Sequence, residues 1–254
     1  MMTFFSGFGR TRQYCVFVSM TLLALSLSAS ADSATLLVSQ KSAQSEQSTP
    51  IKKIILTLDD GFQDQEGLMT MLKAHHAGAT FFIEGTALKA YPAIWKDAQD
   101  KGFLIGCHTM SHHPTSQLSG NQFRTELREW RALAKAVLGE QAAQTTLFRF
   151  PYGDTGGRRT KLFKTILKEE GFSSYLWDID ISTPYHKLPP AIRIEDAKDR
   201  LEASHSTSPI VLGHFTYVDV PAIEEVLEWA EMEKIVVEGL GGAPTTESIP
   251  NAAK

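Results

Sequence analysis

From Ile51 onward, short apolar runs alternate with longer amphipathic stretches, and this alternation constrains the fold more than any other feature of the chain. Ile54 to Leu58 reads as a buried strand, and Glu66 to His75 carries Leu68, Met69, Met71 and Leu72 at helical spacing. Ala79 to Ile83 gives a second strand. Pro92 suits the first turn of a helix that ends near Gly102, and Phe103 to Ile105 gives a third strand. Phe123, Leu127, Trp130 and Val137 share one face of a helix between Asn121 and Gly139. Strands over 146–150, 174–177, 209–212 and 235–237 follow, interleaved with helices over 161–170, 194–202 and 220–231. Strand and helix in strict turn favour a parallel sheet, and about seven such strands would close into a distorted (β/α) barrel. In that architecture the chemistry collects at the C-terminal ends of the strands.

The two ends of the chain stand outside this pattern. Arg10 and Arg12 precede an apolar run from Cys15 to Leu27, and Ala29-Ser30-Ala31 offers the small residues that a signal peptidase requires. Residues 1–31 are therefore expected to be a cleaved export signal, and no stable membrane anchor is expected because the run is short for a span. Residues 32–50, rich in Ser, Gln and Ala, read as a flexible leader, 51–240 as the folded domain, and 241–254 as a polar tail. Cleavage would remove two arginines and no acid, taking the formal charge from −4 to −6. That sign argues against a nucleic-acid partner. It would also leave Cys107 as the one cysteine, so the exported domain would hold no internal disulfide. A periplasmic or extracellular monomer is the expectation.

Four features fall where strands should end. Asp59-Asp60-Gly61 follows the first strand, and two adjacent acids there either cap the next turn or divide labour. Side chains of neighbouring strand residues diverge, so one acid could bind a metal while the other takes a proton from water. His108 and His112 stand at the four-residue spacing common among zinc ligands, and Asp60 is the obvious third ligand. Two histidines and one carboxylate leave positions open for water and substrate, as catalytic zinc sites do. Arg149, ahead of Phe150-Pro151-Tyr152-Gly153, is either a surface charge or a fixed guanidinium that orients a carboxylate base. His214, after Ile210-Val211-Leu212, is either a histidine at a strand end or a general acid. His75, His76, His113, His186 and His205 are expected at the surface.

In this order and with these spacings the chain resembles the polysaccharide deacetylase family, that is, carbohydrate esterase family 4 or the NodB homology domain. The resemblance rests on Thr57 to Gly61, Ala79 to Gly85, His108 to His112, Arg149 to Tyr152 and Leu212 to His214. It implies a distorted (β/α) barrel holding one divalent metal ion, usually zinc. It also implies hydrolysis of N-acetyl or O-acetyl groups on a cell-wall or extracellular polysaccharide or oligosaccharide, with a metal-activated water as nucleophile. Transferred position by position, Asp60, His108 and His112 would bind the metal and Asp59 would be the base, held by Arg149. His214 would be the acid, and the Tyr152 amide after Pro151 would face the oxyanion. Trp177 and Leu212 would line the acetyl pocket.

One element departs from the family pattern. An Asp-Trp pair is usual where this chain has Thr183-Pro184, so His214 would need Asp178 or Asp180 as its carboxylate partner. Without one its proton affinity would fall. An amidase acting on a small non-sugar amide and a non-catalytic glycan-binding relative are the competing readings. Retention of Asp59, Asp60, His108, His112 and His214 together speaks against both.

Overall fold

The computed structural model describes residues 50–182, 190–204 and 206–241. The expected signal and nearly all of the leader, the tail beyond Gly241, Thr183-Pro184, His186 and His205 lie outside the described residues. Among the described residues eight strands make one sheet: β1 (Lys53–Asp60), β2 (Thr80–Ile83), β3 (Leu104–Cys107), β4 (Leu147–Phe148), β5 (Ser173–Ser174), β6 (Ile179–Asp180), β7 (Ile210–His214) and β8 (Val236–Glu238). The order is β5-β4-β3-β2-β1-β7-β6, every pairing is parallel, and β8 pairs with the start of β1. β5 and β6 are therefore the two ends of a curled, incompletely closed barrel. The helices are α1 (Gln65–Ala74), α2 (Gly85–Ala90), α3 (Pro92–Asp100), α4 (Gly120–Leu138), α5 (Glu140–Ala143), α6 (Thr160–Glu169), α7 (Pro190–Glu202) and α8 (Val220–Met232). Among the described residues, no helix is long and apolar enough to cross a membrane.

The alternation of β1 explains how one strand serves both core and site. Ile54, Leu56 and Leu58 are fully buried and belong to the apolar core. Thr57 and Asp59, on the opposite face, both receive hydrogen bonds from the Arg149 side chain. The helical layer is pinned as well as packed. Phe123, Leu127, Trp130, Ala134 and Leu138 form the buried stripe of α4, whose start is fixed by a reciprocal capping box between Ser119 and Gln122. Trp130 Nε1 donates to the Ile83 carbonyl at 2.7 Å, tying that helix to the end of β2.

The expected elements are present with ends shifted by a few residues. Three are additional: α2 and α5, each too short to show a helical period, and β6, which follows the expected 174–177 strand and pairs with β7. The 146–150 strand is shorter than expected: it ends at Phe148, Arg149 N–H makes a last bond to the Cys107 carbonyl, and Pro151 opens a 3₁₀ turn.

Candidate active site

Sheet register delivers the site residues to one rim. Asp60, Ile83, Cys107 and Phe148 form a row across β1, β2, β3 and β4, so His108 and Arg149 are each the next residue after the row. On the other side of β1, Asp59 pairs with His214 of β7. A cavity of about 510 Å³ opens over this rim, lined by Asp59, Asp60, His108, His112, Tyr152, Gly153, Trp177, Asp180, Leu212, His214 and Thr216.

Asp60, His108 and His112 offer three ligand atoms to one point. His112 Nε2 lies 3.1 Å from His108 Nε2 and 3.2 Å from Asp60 Oδ1, and His108 Nε2 lies 3.5 Å from that same oxygen. Tetrahedral zinc with bonds of 2.0–2.1 Å separates its ligand atoms by about 3.3 Å, close to all three distances. The protonation pattern agrees. His108 Nδ1 faces the Arg149 carbonyl at 3.0 Å and must donate to it, which in the neutral ring leaves Nε2 with a lone pair aimed at the cluster. Asp60 Oδ1 is buried without a hydrogen-bond partner. Burial alone would raise the Asp60 pKa, but the His108 and His112 rings beside it hold it far below the usual carboxylate range. The His112 pKa is lowered by burial and raised by more by the adjacent Asp60 carboxylate. The donor set therefore fits a divalent cation.

The loop carrying these histidines is strained and externally held. Asp60, Thr109 and His112 all have positive φ, at 75°, 65° and 57°. Glu126 of α4 accepts from the backbone N–H of Met110 and of Ser111, each at 2.8 Å, and from Ser111 Oγ at 2.7 Å. Thr109 Oγ1 accepts from His112 N–H at 3.1 Å. Nothing local in the sequence marks Glu126 for this task; it faces the loop only because α4 crosses the end of β2.

Arg149 is fully buried and Asp59 nearly so. The guanidinium donates to Asp59 Oδ1 at 2.9 Å, to Thr57 Oγ1 at 2.8 Å and to the carbonyls of Tyr175 and Leu176 at 3.0 and 3.2 Å. It also stacks 4.3 Å over the Phe82 ring. Asp59 Oδ1 is thus occupied by Arg149, while Oδ2 lies 3.7 Å from His108 Nε2 at the cavity.

Tyr152, in the left-handed region at φ 59°, places its ring edge-on against His112 at 4.6 Å and stays 69% exposed. Trp177 and Leu212 line the cavity. Pro151 does not; it is buried and instead opens the turn that presents Tyr152.

The partner of His214 needs correction. Asp178 accepts from Ile210 N–H at 2.8 Å and does not line the cavity. Asp180 lines the cavity, and its link to the ring runs through Ser182: Ser182 Oγ donates to Asp180 Oδ1 at 2.8 Å and lies 2.7 Å from His214 Nδ1. The carboxylate directly against the ring is Asp219, with Oδ2 3.3 Å from Nδ1. Sequence reasoning passed over Asp219 because an acid just before a helix reads as an ordinary N-cap. Burial lowers the His214 pKa, but Asp219, with the charges of Asp59 and Asp60, more than offsets this and lifts it to about 9.

The chain is similar to known proteins in sequence and in fold. The chain is 30% identical over 166 residues to a peptidoglycan-N-acetylglucosamine deacetylase of Bacillus cereus, covering 64% of this chain and 59% of that protein. It is 32% identical over 128 residues to chitin deacetylase 1 of Saccharomyces cerevisiae, covering 50% and 40%. The chain thus spans less than two thirds of the length of these curated relatives. The crystal structure of a polysaccharide deacetylase from Bacillus cereus superposes with a TM-score of 0.64 at 26% identity, over 74% of this chain and 91% of that one. The polysaccharide deacetylase profile matches residues 46–173, half of the sequence, and the chain belongs to that family.

Proposed function

We propose that this protein is an exported, metal-dependent deacetylase that removes N-acetyl groups from N-acetylglucosamine units of a cell-wall glycan, releasing acetate and a free amine. The observation that carries this reading is the convergence, on one cavity, of a three-ligand cation site with a buried carboxylate on one flank and a histidine on the other. Peptidoglycan and chitin are the polymers named for the relatives at 30% and 32% identity, which supports the substrate class. A zinc ion held by Asp60, His108 and His112 would supply Lewis-acid polarisation of the acetyl carbonyl and of a water.

The chain's own residues do the rest. Asp59, with Oδ1 held by Arg149, takes the water proton on Oδ2. The acetyl methyl sits against Trp177 and Leu212, and the Tyr152 N–H is the oxyanion donor in this reading. His214 delivers a proton from Nε2 to the sugar nitrogen as the C–N bond breaks, so the amine leaves neutral. Export to the periplasm or outside, through residues 1–31, brings the site to its polymer.

The test is metal analysis of the purified protein combined with acetate release from peptidoglycan, N-acetylglucosamine oligomers, poly-N-acetylglucosamine and acetylated xylan. The expected result is one equivalent of a divalent metal and acetate from an N-acetylated glycan, lost in Asp59→Asn. No acetate from any polymer, or equal release by Asp59→Asn, refutes the proposal.

A further inference from the structure

His214 has an orienting group that lies outside every motif of the sequence. Asp219 is completely buried and occupies the position before α8 where an aspartate ordinarily accepts from the helix's free N–H groups. Here it makes no such cap. Its Oδ2 instead accepts from the His214 backbone N–H at 2.9 Å and lies 3.3 Å from His214 Nδ1. The other oxygen, Oδ1, has no hydrogen-bond partner among the described residues. A buried carboxylate that forgoes its helix cap and leaves one oxygen unsatisfied is costly as a purely structural element.

A second chain of bonds reaches the same ring nitrogen. Asp180 Oδ1 accepts from both the backbone N–H and the hydroxyl of Ser182, each at 2.8 Å. The Ser182 proton is therefore committed to Asp180, and at 2.7 Å from His214 Nδ1 its oxygen can only accept. Both neighbours of Nδ1 are acceptors, so Nδ1 carries a proton and Nε2 is the nitrogen left for the cavity.

Resting on the deacetylase reading above, we infer that Asp219 is the positioning residue of His214, fixing the Nδ1–H tautomer and ring orientation, with Asp180 acting on the same nitrogen through Ser182. Asp59 and Asp60 on β1 add negative charge on the cavity side of the ring, Asp59 being paired with Arg149. They leave Nδ1 to the other two acids.

The tautomer can be read without any substrate. Long-range ¹H–¹⁵N spectra of the purified protein, recorded above about pH 9 so that the ring is neutral and with His214 assigned by comparison with His214→Gln, should show Nδ1–H as the dominant neutral form. In Asp219→Asn the Nε2–H form should become substantially populated, and kcat should fall on the order of 10²-fold with KM within about twofold, the size expected when a general acid loses its orientation. Ser182→Ala should keep the Nδ1–H form, because Asp219 remains. An Asp219→Asn protein with the wild-type tautomer overturns the inference. If that variant does not fold, loss of the Nδ1–H form in Ser182→Ala overturns it instead. A tautomer change in a protein that releases no acetate from any glycan would uphold the positioning role while defeating the deacetylase reading.

Discussion

Asp59 Oδ1 accepts a hydrogen bond from Arg149 Nη1 at 2.9 Å, and the two side chains are 4% and 0% exposed. An ion pair this deep is held by its geometry more than by its charge, since desolvating both groups cancels much of their attraction. Removing one partner is therefore worse than removing both. Arg149→Met should destabilise the fold by about 3–5 kcal/mol, because it strands a buried carboxylate. Asp59→Asn combined with Arg149→Met should recover part of that loss, the remainder reflecting the Tyr175 and Leu176 carbonyls that lose their donor. Neither variant should release acetate. Urea unfolding of the single and double variants decides this; a double variant no more stable than Arg149→Met would show that the pair is not what the stability depends on.

Glu126 makes a different kind of contribution. It touches no ligand atom named above, yet its two carboxylate oxygens accept three hydrogen bonds from the loop between His108 and His112. Supporting contacts of this sort typically alter metal affinity by 10–100-fold. Glu126→Ala should weaken zinc binding by at least about tenfold while α4, whose buried stripe lies on other residues, keeps its helix. Competition titration with a chromogenic chelator measures the first and far-ultraviolet circular dichroism the second. Unchanged affinity would assign the loop's shape to its own backbone and Thr109.

What could be read from the sequence divides by the range of the interaction. The core of β1 was legible because Ile54, Leu56 and Leu58 are apolar in alternation, and the rim residues were legible because each falls within a short motif at a strand end. Arg149 could be matched to Asp59 only through the family resemblance, since 90 residues separate them. Asp219, Ser182 and Glu126 escaped for a common reason: their local surroundings assign them ordinary tasks, as a cap, a bend or a helix-surface acid. Only the packing of α8, β6 and α4 turns them toward the site. α2 escaped because its six residues are too few to display a period.

Gly61 ties the fold to the site in the next residue after Asp60. Its φ of +100° is one that other residues adopt at a cost, and a Cβ there would lie 2.6 Å from Trp95 Cζ2. Trp95 cannot yield easily, being fully buried edge-to-face against Phe81 and Phe215 with its Nε1 bonded to the Ala87 carbonyl. Gly139 provides the control, with φ +96° and nothing within 4 Å of its Cβ position. Gly139→Ala should cost only backbone strain, about 1–3 kcal/mol, whereas Gly61→Ala should cost clearly more and also lower zinc affinity by displacing Asp60. Equal shifts in thermal midpoint for the two variants would show that Trp95 relaxes freely.

The raised proton affinity of His214 makes a signed prediction about pH. Burial opposes the charged ring, but Asp219, Asp59 and Asp60 outweigh it and move the pKa from 6.5 to about 9. Folding thus favours the protonated form, so the stability this group contributes is complete below 6.5 and is lost as pH rises through about 9. Wild type should exceed His214→Gln in urea midpoint by the largest margin near pH 6, and the margin should shrink toward zero by about pH 10 in metal-free protein. A cation bound at Asp60 adds positive charge facing the ring, so zinc should lower the ring's pKa, and Asp219→Asn should lower it further in both states. The alkaline limb of kcat/KM, which follows loss of the acid's proton, should shift to lower pH in Asp219→Asn. NMR titration of the ring with and without zinc, alongside the rate profile, checks each part. A margin over His214→Gln that grows with pH would contradict the sign of the argument.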